Sequence, residues 1–150
     1  TIIGSSIAGS LTLPANFFVA GKSIRFYSTG KITCSSNPDT TISIYLGTPG
    51  AGTLVGSIAA TSLPNSTNAT YILDLFMVCN VAGASGTFVV SGNFYLNGGS
   101  ATAVHMYYLA PVVTTNTFNT TTSLVLDMRN LWSASGNTLA SWTNTCFYIN

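Results

Sequence analysis

The segment Thr87-Phe88-Val89-Val90-Ser91-Gly92-Asn93-Phe94-Tyr95-Leu96 decides the fold class. Successive side chains of a strand point to opposite faces, so Phe88, Val90, Phe94 and Leu96 share one side of an extended chain. Gly92 within the run predicts a bulge or a close backbone approach. Upstream, Tyr71–Cys79 is apolar at every position except Asp74, which predicts a central strand covered on both faces. Ala82–Gly86 reads as the turn between the two runs, and Asn97-Gly98-Gly99 as a hairpin-type turn.

The same pattern extends outward. Ile2–Ile7 reads as a first strand, closed by a turn at Pro14. Ser23–Ser28 sets Ile24 and Phe26 against Arg25 and Tyr27, and Lys31–Ser35 extends it past Gly30. Asn37-Pro38-Asp39 is a turn signal. Thr41–Leu46 places Ile42, Ile44 and Leu46 on one face, and Leu54–Ala60 is a weaker strand. Leu63–Thr70 is polar and interrupted by Pro64. Ala101–Leu109 sets Val104, Met106 and Tyr108 against His105 and Tyr107, and Pro111 ends it. Ser123–Arg129 turns Leu124, Leu126 and Met128 inward, with Val125, Asp127 and Arg129 outward. Ser135-Gly136-Asn137 is a turn, and Leu139–Ile149 a final strand. No helix of even three turns is visible. The expectation is one all-β domain over residues 1–150, a jelly-roll-like antiparallel β-sandwich of about eight to ten strands with no substantial helix.

Composition limits what such a sandwich does. Among 150 residues there are four Lys or Arg, three Asp and no Glu, against 47% hydrophobic residues. Charged residues make up 5%, against about 25% in an average soluble domain. Net charge is +1, so there is no basic footprint for nucleic acid. The longest apolar run, near Tyr71–Val81, is broken by Asp74 and Asn80 and falls short of the roughly 20 residues of a membrane-spanning helix. No basic stretch followed by an apolar one opens the chain, and a start at Thr1 is compatible with processing or truncation. A weakly charged surface offers little repulsion between copies, which favours association.

Candidate chemistry is sparse. His105 is the only histidine, lies in a strand, and has no nucleophile motif to serve. Asp74, set among apolar residues, needs a cationic partner, and Arg25 or Arg129 would supply one. Asp127 and Arg129 share a strand face and read as an ion pair. Cys34, Cys79 and Cys146 are too widely spaced for a zinc site and read as buried thiols, or as one disulfide and one thiol. Asn37–Asp39 is a weak seed for a calcium site. Asn65, Asn68 and Asn119 each open a glycosylation sequon. No catalytic residue, metal or cofactor is expected.

The order of segments then carries a resemblance. Leu13-Pro14-Ala15-Asn16-Phe17-Phe18-Val19-Ala20-Gly21-Lys22-Ser23-Ile24-Arg25 resembles the LPANFL-x-G-K-x-I-R opening of a loose group of bacteriophage structural proteins. Gly83-Ala84-Ser85-Gly86-Thr87-Phe88-Val89-Val90-Ser91-Gly92-Asn93-Phe94 is similar to that group's G-A-S-G-T-x-x-x-x-G-x-F. Leu131–Thr138 and Thr143–Cys146 resemble its closing W-S-x-A-x-x-N-T…T-x-T region. The resemblance implies a virion β-sandwich, often trimeric, of the tail, fibre or head-decoration kind, and carries no catalytic residues. The expected function is therefore structural: a homo-oligomer assembling through apolar, uncharged sheet faces alongside other virion proteins. Tyr27, Tyr45, Tyr107, Trp132 and Trp142 are the interface candidates. Two other functions fit the same residues: a cell-surface filament subunit that donates Thr1–Ser10 to its neighbour's sheet, and a module that stacks host-surface glycans on aromatic side chains.

Overall fold

Alternation at period two runs through most of the longest segments, and those segments are strands. In chain order they are β1 (Leu11–Leu13), β2 (Ser23–Cys34), β3 (Asp39–Gly47), β4 (Thr53–Ser62), β5 (Ser66–Val81), β6 (Thr87–Asn97), β7 (His105–Tyr108), β8 (Ala110–Pro111), β9 (Leu124–Trp132) and β10 (Thr138–Ile149). This computed structural model describes residues 11–48, 52–97, 104–111 and 117–149, with the backbone alone described at 60, 61, 111 and 140–149. The expected strand at Ile2–Ile7, the donor segment Thr1–Ser10 and the Gly98-Gly99 turn lie outside the described residues.

The strands form two five-stranded sheets. Sheet I runs β1-β9-β3-β4-β8 and sheet II runs β10-β2-β5-β6-β7, with every pairing antiparallel. No helix occurs among the described residues, and the chain is the all-β sandwich expected. Sheet I turns Ile42, Ile44, Leu46, Leu126 and Met128 inward, and sheet II answers with Ile24, Phe26, Leu73, Leu75, Met77 and Phe94. All of these are buried. Tyr71 is fully buried and stacks on Phe94 at 5.6 Å. Its hydroxyl shares a 3.3 Å hydrogen bond with Ser28, as a buried polar group requires.

One expectation needs correction. β5 is central within its sheet, but among the described residues only one of its faces is covered. Tyr71, Leu73, Leu75, Met77 and Cys79 meet sheet I, whereas Phe76 on the opposite face is exposed. A two-layer sandwich has no third layer to cover that side. The polar stretch before Tyr71 is part of the sheet: β5 begins at Ser66 and its first residues pair with the end of β2. Ladder hydrogen bonds to β2 outweigh the weak strand preference of Asn and Ser.

Polar side chains fasten the turns. Gly21 has φ 85°, where a side chain would be strained, and its N–H donates to the Cys79 carbonyl at 2.8 Å. Asn37 and Asn65 are reciprocal: each backbone N–H donates to the other's side-chain oxygen, at 2.8 and 3.0 Å. The first sequon asparagine is thus committed to a clasp between two turns. Thr120 caps the Ala82–Gly86 turn, accepting from the Gly83 N–H at 2.7 Å.

Gly92 is a close approach: a Cβ there would lie 2.5 Å from the Asp74 carbonyl oxygen and 3.2 Å from the Leu75 Cα. Backbone cannot yield as a flexible side chain does. Gly92→Ala is therefore expected to lower the unfolding free energy by about 1–3 kcal/mol in a urea titration. An unchanged midpoint and slope would contradict the close approach.

Candidate assembly surface

The uncovered side of sheet II is built in registered rows. Thr29, Ile72, Tyr95 and Met106 align across β2, β5, β6 and β7. Tyr27, Asp74, Asn93 and Tyr108 form the next row, followed by Arg25, Phe76 and Ser91, and then Val78 and Val89. Much of this row structure meets water: Phe76 is 37% exposed, Met106 44%, Val89 59% and Tyr108 70%. Single exposed apolar residues are ordinary, but a group on one face marks a contact surface.

Its centre is polar and internally neutral. The Arg25 Nε donates to Asp74 Oδ1 at 2.8 Å, and Nη2 donates to Oδ2, making a two-point ion pair between neighbouring strands. The hydrogen bond to Asp74, and then its charge, raise the Arg25 pKa. Asp74 thus has the cationic partner that its strand position demanded. Beside the pair lies a hollow of about 470 Å³, lined by Phe76, Ser91, Asn93 and Tyr108 among others. β7 turns away there: the Leu109 N–H donates to the Gly92 carbonyl at 2.9 Å before the chain crosses into sheet I.

The remaining candidates scatter. Tyr27 lies on this face and is half-buried. Tyr45 is on the outer side of sheet I, where the Arg129 guanidinium covers its ring at 4.2 Å. Arg129 also grips Asp127, with Nε and Nη2 donating to Oδ2 at 2.9 and 2.7 Å. Asp127 shares the outer side of sheet I with Tyr45, as expected, but is buried there, and its Oδ1 has no hydrogen-bond partner. Tyr107 points inward, 6.2 Å from Phe94, and its hydroxyl donates to the Ser62 carbonyl at 3.5 Å. Trp132 packs, half-buried, against the core. The Trp142 side chain lies outside the described residues. His105 stacks on Tyr107 at 6.4 Å. No group of three or more His, Cys, Asp or Glu gathers among the described residues, and no helix there is long and apolar enough to cross a membrane.

The exposed residues that matter most, Val89, Met106 and Tyr108, are not among the interface candidates that residue type suggests. Their signal in the sequence is parity: on a strand whose odd positions face the core, Tyr108 is the outward neighbour of Tyr107. The surface itself is the guide to function, because no family model, curated protein or solved structure matches the chain.

Cys34 and Cys79 are free and buried. Burial pushes the Cys34 thiol from an ordinary 9.0 up to about 11, and raises Cys79 too. The native state holds the Cys34 proton longer than the unfolded chain does. This group therefore leaves stability unchanged below about pH 9 and removes stability as pH climbs from there to about 11. Urea midpoints measured across that range should fall less steeply for Cys34→Ala than for the parent. Equal slopes would contradict the burial effect.

Proposed function

We propose that this chain is a non-enzymatic structural subunit of a virion, a capsid-decoration, spike or fibre component, that assembles with copies of itself through the outer face of sheet II, as a trimer. The observation that carries the reading is the exposed group of Phe76, Val89, Met106 and Tyr108 on one sheet face of a chain with 5% charged residues. Burying what remains exposed of each such side chain contributes about 1–2 kcal/mol at roughly 25 cal/mol per Å². The central Arg25–Asp74 pair carries no net charge, so two copies meet there without repulsion. The likeness of Leu13–Arg25 and Gly83–Phe94 to phage structural proteins supports the virion setting.

A second reading has one specific support. The hollow joins the half-exposed Arg25–Asp74 pair and Asn93 to the exposed Tyr108 ring, a mixture of planar polar groups and an aromatic face that suits a neutral sugar. Binding on a glycan array would favour it.

Light scattering on the eluting protein at micromolar concentration tests the first reading. The parent should elute at a multiple of its 15.6 kDa mass, and Val89→Asp, which leaves the core untouched, should elute as a monomer with unchanged circular dichroism. A monomeric parent would overturn the assembly reading. Immunogold labelling of particles from the native source tests the setting, and label confined to cells rather than particles would overturn it.

A further inference from the structure

Four strands end the two sheets, and they are not alike. Within the described residues β1, β8 and β7 are 3, 2 and 4 residues long, whereas β10 has 12. Short edges protect a sheet, since they leave few unpaired N–H and C=O groups for a foreign strand. Among the described residues β10 is the long end strand, and neither charge nor proline guards it. Thr138–Ile149 contains no charged residue and no proline, and one register shift at Ser141/Thr143 is its sole irregularity against β2. Among the described residues, no strand pairs with its outer edge.

We propose that the outer edge of β10 pairs antiparallel with β10 of a second copy, about a two-fold axis, joining the two sheets II into one ten-stranded sheet. A strand paired with its own copy sets every residue against one from the same uncharged segment, so no like charges meet in any register. A charged partner peptide would find no complement there. The junction also prolongs the outer face of sheet II from one copy into the next, because β10 lies directly beside the β2 row of Arg25, Tyr27 and Thr29. The edge contact pairs backbone groups and does not depend on the face contact. Where the face groups three copies, two-fold edges link such groups into a larger array.

A cysteine scan tests this on the full chain. Single cysteines are placed in turn along β10 in a Cys146→Ser background, oxidised mildly, and read on non-reducing gels. Two-fold antiparallel pairing brings the same residue of both copies together only near the axis, so crosslinked dimer should peak at one position or two adjacent ones and fall away on either side. Absence of crosslinks at every position in variants with native circular dichroism would overturn the proposal. Crosslinks formed only with a second cysteine placed within residues 1–10 would also overturn it, and would assign the edge to a donated N-terminal strand. Repeating the peak variant with Val89→Asp separates the two surfaces. The crosslink should persist while larger assemblies disappear. Its loss together with them would show that the edge has no pairing of its own.

Discussion

A strand that is apolar on both faces, in a fold that covers only one, is the constraint from which the rest of this protein follows. β5 supplies Tyr71, Leu73, Leu75, Met77 and Cys79 to the core, and these tie sheet II to sheet I. The alternate residues Ile72, Phe76 and Val78 have no layer above them among the described residues. β6 repeats the arrangement with Phe88, Val90, Phe94 and Leu96 inside and Val89 outside. The same alternation that makes the sandwich stable thus leaves apolar surface in water, and burial against another copy, as proposed, would resolve the conflict.

Charge is used where nothing else suffices. Asp74 stands amid that apolar face, and Arg25 neutralises it with two hydrogen bonds across the strand pair. Asp127 is neutralised by Arg129, which also lies over the Tyr45 ring. Elsewhere hydroxyl and amide groups do the polar work: the Asn37–Asn65 clasp, the Thr120 cap, and Asn137, whose side-chain oxygen accepts from the Ser35 N–H at 2.8 Å. These groups bond at short range and exert no repulsion on a neighbouring molecule, which suits the proposed assembly.

Strand periodicity was legible because it is local. The inward sets on β3, β6 and β9 follow from residue parity alone. The coverage of β5 was not legible, because an apolar outward face reads the same whether a third layer, a partner molecule or water lies above it. The strand at Ser66–Thr70 was not legible for a related reason: its conformation comes from β2, about forty residues away in the chain. Among the interface candidates, residue type misled where parity would have served. Tyr107 and Trp132 are large aromatic residues that the fold uses at the margin of its own core, whereas Tyr108 and Met106, one position on either side of Tyr107, carry the exposed surface.

Hydroxyl-radical footprinting over a range of protein concentrations tests the central claim most directly. Phe76, Met106 and Tyr108 should be protected at micromolar concentration and gain reactivity on dilution, while Leu131, exposed on the other sheet, reacts equally throughout. Reactivity of those three residues that stays high and constant at every concentration would contradict the account.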